Sequence, residues 1–193
     1  MRIVLWCAAL ALLVGCSTPA EDTPTSAQTT PGPTTVPSAA PSIVSSRLPS
    51  VEEWEPRDQD VEGVDIGWSN ERDVEEVSLV WDALACLEPG TLPRAQGVIE
   101  GTYSTGELPA VIELASFDSP EQAREFHDAY LTGSLACDDG VSQLTGAESS
   151  LLRSVDGDSW TETLLISGAD VTLAIVNEAL TAEEVARLRE ALG

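Results

Sequence analysis

The tract from Ser17 to Ser46 constrains the folding of this chain more than any other feature, because it contains almost no large apolar residue. It consists mainly of Ser, Thr, Pro and Ala, with prolines at positions 19, 24, 31, 33, 37 and 41. Such a composition cannot bury enough apolar surface to offset the entropy that ordering would cost. Its prolines favour extended conformations. The sequence therefore predicts a disordered tether over residues 16–46 and a single folded domain over residues 47–193.

The residues before the tether have the pattern of a secretory signal. Met1-Arg2 precedes an apolar run from Ile3 to Val14, which is shorter than the about 20 residues needed to span a bilayer. The segment Leu13-Val14-Gly15-Cys16 resembles the lipobox of bacterial lipoproteins. The resemblance implies that residues 1–15 are a cleaved signal peptide and that Cys16 carries diacylglycerol and an acylated amino terminus. A plain signal peptide with a chance cysteine is the alternative.

Multiple acyl chains on one cysteine are sufficient for stable membrane attachment. We therefore expect a lipoprotein that is lipid-anchored through Cys16 on the extracytoplasmic face of the cell membrane. The sequence has 33 acidic residues against nine arginines, it has no lysine, and its formal net charge is −24. Nucleic acid and anionic lipid both require a basic surface. The charge thus argues against a nucleic-acid partner and leaves the lipid on Cys16 as the contact with the membrane.

Two cysteines, Cys86 and Cys137, lie in the expected domain. Export places them in an oxidising compartment, where a pair of cysteines usually forms a disulfide. Two buried thiols or a thiol nucleophile are the alternatives. Neither cysteine has a second cysteine at C-x-x-C spacing, which argues against a thioredoxin-like redox role.

Helical periodicity and capping residues predict three helices. The first is expected after a cap at Asn70, with apolar residues at three- and four-residue spacing between Val74 and Leu84. The second begins at Ser119 with Gln122 completing a capping box, and Gly133 is expected to end it. The third begins at Thr181, with Glu184 completing a second capping box. The expected buried residues of the last two helices are Ala123, Phe126, Tyr130, Leu131, Val185, Leu188 and Leu192.

Alternating apolar residues predict about five strands. The turn Asp156-Gly157-Asp158 favours a hairpin, and residues 47–69 are expected to be irregular, with Trp54 and Trp68 anchored on the core. The fold class is therefore α+β, an antiparallel sheet of about five strands with packed helices in a single domain. The predicted strands are Gly97–Tyr103, Leu108–Phe117, Leu151–Val155, Ser159–Ile166 and Val171–Asn177.

The sequence contains no recognisable catalytic set, and we expect no catalytic residue, no metal site and no cofactor. His127 is the only histidine, so a His-rich zinc site cannot form, and a Ser-His-Asp triad would have to use it. We expect His127 to pack half-buried beside Phe126. Acidic residues are numerous enough that a paired-carboxylate site is formally possible. Asp138-Asp139-Gly140 and the Asp156 turn lack the further ligands of a calcium loop.

The stretch from Val111 to Val141 resembles the extracellular sensor domain of actinobacterial receptor serine/threonine kinases of the PknH type. The similarity rests on a strand at Val111–Leu114, the segment Phe117-Asp118-Ser119-Pro120-Glu121-Gln122-Ala123, Phe126 in the next helix, and Cys137. It covers at most the carboxyl-terminal half of the chain. This chain has Ser134 near the position where that family has a tryptophan, and it can form one disulfide rather than two. The resemblance implies a domain that binds a ligand or partner in the cell envelope.

These observations predict a non-catalytic ligand-binding or sensing domain tethered to the membrane. No ligand-binding residue follows from the sequence, and the partner is an unknown envelope ligand or protein. An envelope enzyme that uses carboxylates, for example on a glycan, is one alternative. A structural partner in a membrane complex is the other.

Overall fold

The structure is a computed structural model that describes residues 47–51, 54–61, 64–105, 108–137 and 140–193. For residues 59–61, 64–67, 105 and 108 it describes the backbone alone. The predicted signal peptide, Cys16 and the tether lie outside the described residues, and so do Asp138 and Asp139.

This part of the chain forms ten strands and three helices. The strands are β1 (Trp54–Pro56), β2 (Gln59–Val61), β3 (Val64–Gly67), β4 (Ser69–Arg72), β5 (Gly97–Thr105), β6 (Leu108–Ser116), β7 (Val141–Leu144), β8 (Ala147–Val155), β9 (Asp158–Ser167) and β10 (Asp170–Val176). The helices are α1 (Val74–Leu84), α2 (Pro120–Ala136) and α3 (Ala182–Leu192).

Eight strands of the described chain form one antiparallel sheet, in the order β1-β5-β6-β10-β9-β8-β7, and β4 also pairs with β5. β1 and β4 lie along the same edge of β5, with Pro56 opposite Tyr103 and Ser69 opposite Gly101. β2 and β3 form a separate two-stranded pair. The predicted α+β class with an antiparallel sheet is confirmed, but the prediction of about five strands was too low. The additional strands, β1–β4 and β7, are three or four residues long.

Both faces of the sheet are covered by other elements. On one face, hereafter the helical face, α1 and α2 pack on residues of β5, β6, β8, β9 and β10, and Trp81 meets Phe126 edge to face with 5.1 Å between ring centroids. On the opposite face, α3 and the segment around Leu48 and Val51 cover a second cluster. Burial on both faces explains why the central strands are apolar at successive positions instead of alternating with polar residues.

The cap of the first helix lies three residues later than predicted. Asn70 lies in β4, and Asp73 caps α1 by accepting hydrogen bonds from the backbone N–H groups of Glu75 and Glu76. Asn70 could also have served as a cap. Its backbone instead pairs with Glu100 on the edge of β5, and this long-range pairing carries no local sequence signal.

The second helix starts as predicted but does not end at Gly133. The Ser119 hydroxyl accepts from the backbone N–H of Gln122, and the side-chain oxygen of Gln122 accepts from the backbone N–H of Asp118. The helix continues to Ala136, and Gly133 is buried within it. A Cβ at Gly133 would lie 2.6 Å from the carbonyl oxygen of Ala85. The glycine therefore permits a close contact between chain segments and does not mark a helix end.

The third helix has the predicted capping box, in which Thr181 and Glu184 exchange hydrogen bonds. Val185 and Leu188 are buried as expected, while Leu192 is half-buried. Beyond the helix, the two tryptophans predicted as anchors, Trp54 and Trp68, are half-buried and pack on the ring of Tyr103.

Candidate functional site

A buried ionic network on the helical face is centred on Glu162 of β9, which is inaccessible to solvent. Its carboxylate accepts hydrogen bonds from Nε of Arg153 at 2.5 Å, from the hydroxyl of Tyr130 at 2.9 Å and from Nε1 of Trp160 at 2.9 Å. Arg153 also donates to the hydroxyl of Ser134 at 2.8 Å. The carboxylate is thus held by three donors, which offset the cost of burying its charge.

The network spans the sheet and α2, since Arg153 lies on β8 and Tyr130 and Ser134 lie on α2. Burial raises the pKa of Tyr130 well above its ordinary value, and the negative charge of Glu162 acts in the same direction. Tyr130 therefore serves as a hydrogen-bond donor at every physiological pH.

Two further glutamates, Glu100 of β5 and Glu113 of β6, lie directly opposite each other in the register on the helical face. Both are more than nine-tenths buried. Arg72 of β4 forms an ion pair with Glu100 at 2.6 Å. Nε1 of Trp81, from α1, donates to the carboxyl of Glu113 at 2.6 Å. Directly opposed residues have Cβ atoms about 5 Å apart, so these two carboxyls interact.

Burial raises the pKa of Glu113 from 4.5 to about 7. The hydrogen bond from Trp81 lowers the pKa, and the negative charge of Glu100 raises it again. The positive charge of Arg72 and the negative charge of Glu162 have smaller, opposing effects. Glu113 is thus a buried acid that changes its charge near neutral pH.

Beside these carboxyls, the helical face of the central strands is only partly covered. Thr102, Val111 and Ile175 lie side by side on β5, β6 and β10, and each is half-buried. Ile175 lies opposite Glu162 in the register, and the half-buried Trp160 is two residues along β9 on the same face. We call these four residues, Thr102, Val111, Ile175 and Trp160, the central strip. It combines apolar side chains with an aromatic ring and adjacent carboxyls, a composition typical of small-ligand sites.

His127 lies on α2, half-buried as predicted, but it makes more than packing contacts. Its Nδ1 is 2.9 Å from a carboxylate oxygen of Asp128, and its Nε2 is 3.2 Å from the hydroxyl of Ser149. This is the order of contacts in a Ser-His-Asp triad, in which the tautomer with its proton on Nδ1 donates to the carboxylate and accepts from the serine. The Asp128 side chain is 67% exposed, so water competes for its hydrogen bond to the imidazole.

The two cysteines of the domain are brought together. Cys86 follows α1 and Cys137 follows α2, and their Cα atoms are 5.8 Å apart in a disulfide. This distance lies within the range usual for the bond. The bridge joins the carboxyl-terminal ends of the two helices that cover the helical face.

The turn at Asp156-Gly157-Asp158 connects β8 to β9, as the sequence predicted. Asp156 and Gly157 have φ angles of 54° and 97°, the left-handed values that a tight hairpin turn requires. Turn formation therefore explains why aspartates are found at both positions. In the described ranges, no group of three or more His, Cys, Asp or Glu residues is arranged to hold a metal ion.

The three buried glutamates were not identified from the sequence, which indicated only that a paired-carboxylate site is formally possible among so many acidic residues. The segment Ala110 to Ala115 did contain a signal, because apolar residues precede and follow Glu113 on both faces of the strand. In a strand that is buried on both faces, an acidic residue must itself be buried. The same reasoning applies to Glu162, which is followed by Leu164 and Leu165.

Among the residues that the structure describes, no helix is long and apolar enough to cross a membrane. A comparison with protein-family models finds no match for the chain, and a comparison with curated proteins finds none either.

Proposed function

We propose that this chain is an envelope lipoprotein whose domain, residues 47–193, binds a small polar ligand at the central strip. In this proposal the lipid on Cys16 anchors the protein to the extracytoplasmic face of the cell membrane, and residues 17–46 hold the domain away from the bilayer. The domain acts as a sensor or carrier and performs no chemistry on its ligand.

The observation that carries the binding proposal is that partly exposed residues of three neighbouring central strands, Thr102, Val111 and Ile175, lie side by side on the helical face. Central strands of a sheet with helices on both faces are normally fully buried. Here Val111 and Ile175 retain exposed surface beside the buried carboxyls of Glu113 and Glu162. Apolar side chains beside the Trp160 ring suit the weakly polar face of a sugar ring, as in a cell-wall glycan fragment. The resemblance to extracellular sensor domains also favours binding.

The binding experiment titrates the full chain with soluble cell-wall glycan fragments and, separately, with vesicles of anionic phospholipid. We expect saturable binding of the glycan fragments, detected by tryptophan fluorescence and calorimetry. Trp160→Ala should reduce the affinity at least tenfold. The control is Leu79→Ala, which truncates an exposed apolar side chain on α1 and should bind like the wild type. Equal affinities for the two variants, or no binding of glycan, would refute the central strip as the site.

The location is tested separately by the variant Cys16→Ser. We expect it to lose its lipid mass and to leave the membrane fraction, while the wild type stays in that fraction. A variant that remains membrane-bound with unchanged mass would show that the anchoring proposal is wrong, whatever the outcome of the ligand titration.

A second candidate function is acyl-ester hydrolysis at Ser149, which is favoured by the contacts of His127 with Ser149 and Asp128. In this reaction the Ser149 hydroxyl attacks the carbonyl carbon of the ester, and its proton passes to Nε2 of His127. The imidazolium then protonates the departing alcohol. A water molecule, deprotonated by His127, releases the acid and restores Ser149.

A fluorophosphonate probe tests this alternative, since it labels serines that are activated by a neighbouring base. If Ser149 is a nucleophile, the probe labels the wild type, and Ser149→Ala and His127→Gln both abolish labelling. The control Ser154→Ala, which changes an exposed serine on the same strand, keeps it. An unlabelled wild-type protein would eliminate this candidate and leave the binding function as it stands.

A further inference from the structure

Glu113 differs from the other two buried glutamates in its partners. Within the described residues, Arg72 binds Glu100 and Arg153 binds Glu162, whereas the Trp81 indole is the only hydrogen-bond donor to Glu113. A buried carboxylate without a cationic partner is costly, and such a group reduces the cost by taking up a proton.

Every element packed around Glu113 contributes a group that influences its charge. α1 presents the neutral Trp81 indole, and β10 places the apolar Leu173 directly opposite. The titratable and charged groups that act on the carboxyl are Arg72 from β4, Glu100 from β5, Glu162 from β9 and Tyr130 from α2. Two carboxylates and one guanidinium therefore surround Glu113, together with a tyrosine that stays neutral, so the local charge favours its protonated form.

Asn70, Glu100 and Glu113 form a cross-strand row that is short of hydrogen-bond donors. Asn70 lies opposite Glu100, and Glu100 lies opposite Glu113, so their side chains share one face of the sheet. The carbonyl oxygen of the Asn70 side chain is buried and has no donor in the described part of the chain. Buried acceptors are normally satisfied, so the unpaired oxygen of Asn70 shows that this row holds more acceptors than donors.

We propose that Glu113 is a proton-operated switch that controls how firmly α1 is held on the sheet. With its proton, the neutral carboxyl accepts the Trp81 N–H at little cost and keeps α1 in place. Without it, the indole N–H binds the carboxylate more strongly, but a negative charge lies beneath α1 next to Glu100, and the cost of its burial exceeds the gain from this hydrogen bond. The switch is a property of the domain alone and does not depend on the ligand proposed above.

The direction of the pH effect follows from the pKa of Glu113, which burial raises from 4.5 to about 7. The folded protein thus binds this proton more tightly than the unfolded chain, by on the order of a few hundredfold. The contribution to stability is fully present below pH 4.5 and is lost as the pH rises through about 7. We therefore expect α1 to be held most firmly in acid and to loosen across neutral pH.

The experiment follows the indole N–H signals of the full chain, labelled with ¹⁵N at tryptophan, between pH 5 and 9. We expect the signal of Trp81 to shift with a midpoint near 7 while those of Trp54 and Trp68, on the opposite face, stay constant. Glu113→Gln should abolish the shift. Glu100→Gln should lower its midpoint, because it removes a negative neighbour. Amide protection in α1 should fall over the same range relative to amides in α3.

The wild-type titration decides the proposal even if a variant fails to fold. A Trp81 signal that does not move between pH 5 and 9 would overturn it. So would a shift that persists in Glu113→Gln, or one seen at Trp160 in place of Trp81, which would assign the proton to Glu162. A normal Trp81 titration without a change in α1 protection would show a proton site that does not act on the helix, and would equally refute the switch.

Discussion

The ionic network around Glu162 leads to a specific prediction about coupling between its members. Arg153→Met replaces the guanidinium by an apolar chain of similar length and leaves the Glu162 carboxylate, which is fully buried, with Tyr130 and Trp160 as donors. Removing one partner of a buried ion pair costs roughly 3–5 kcal/mol. Glu162→Met should cost a similar amount, because it leaves the buried guanidinium with Ser134 as its acceptor.

The double variant should be less destabilised than the sum of the two single variants. With both charges gone, the hydroxyl of Tyr130 loses its acceptor at a cost of about 1–3 kcal/mol, and the buried hydroxyl of Ser134 loses its donor. Trp160 is half-buried, so its N–H can reach water. The double variant should therefore lose about 2–3 kcal/mol, and the coupling between the two sites should exceed about 3 kcal/mol, at the upper end of measured cycles.

Urea unfolding of the four proteins measures these free energies, provided that the m-values agree. The matched control is the same cycle on Arg94 and Glu75, an exposed pair with 3.3 Å between the charged atoms. Its coupling should be at most about 1 kcal/mol. If the Arg153 and Glu162 effects add to within about 0.5 kcal/mol, the two side chains do not depend on each other and the reasoning is wrong.

Three further predictions concern local features of the fold. Replacing both Cys86 and Cys137 by serine should lower the unfolding free energy by about 4 kcal/mol, because the disulfide closes a loop between residues 51 positions apart. Adding a reductant to the wild type should lower its stability in thermal melts in the same way. Gly133→Ala should destabilise the domain in urea unfolding, although alanine is the better helix former by about 1 kcal/mol, because the added Cβ would meet the backbone oxygen of Ala85. The control is Gly97→Ala, in which the added Cβ enters open space. A stabilised Gly133→Ala variant would contradict the close contact. Thr181→Ala should cost about 1 kcal/mol by removing the cap of α3, measured by calorimetry, and an unchanged melting temperature would contradict that role.

The features that the sequence predicted well are those set by neighbouring residues. The caps at Ser119 and Thr181 depend on side chains within three positions of the cap, so a short segment contains the whole signal. The Asp156-Gly157 turn is equally local. The long strands β5, β6 and β10 were found because their apolar runs are bounded by turn residues.

The features that the sequence missed depend on contacts between distant segments. β1 and β4 exist because β5 has an edge with which they pair, and strands of three or four residues are too short to show an alternating pattern. Because Asn70 pairs with the same edge of β5, it lies in a strand, and the helix is capped by Asp73 instead. Gly133 has the composition of a helix stop, yet its role is set by Ala85, which lies 48 positions earlier in the chain.

The candidate site was missed for a related reason. Among so many acidic residues, Glu100, Glu113 and Glu162 do not stand out by composition, and the pairing that brings Glu100 opposite Glu113 is decided by the register of the sheet. The contact between His127 and Ser149 also joins residues far apart in sequence. The sequence identified His127 as the one histidine available to a triad, but it could not supply the serine.

The cost of the ionic network indicates what it contributes to the domain. Buried ion pairs are weak evidence for stability, because apolar residues of similar volume often stabilise a core equally well or better. The value of Arg153 and Glu162 must then lie in what they position. Glu162 accepts from Trp160 and so fixes an aromatic ring of the central strip, and it accepts from Tyr130 and so fixes α2 beside that strip. The charges that are expensive to bury are therefore those that hold the proposed binding surface in one conformation. For that reason Glu162→Gln, which preserves the size of the side chain but weakens its hold on both rings, should reduce ligand affinity more than Thr181→Ala does.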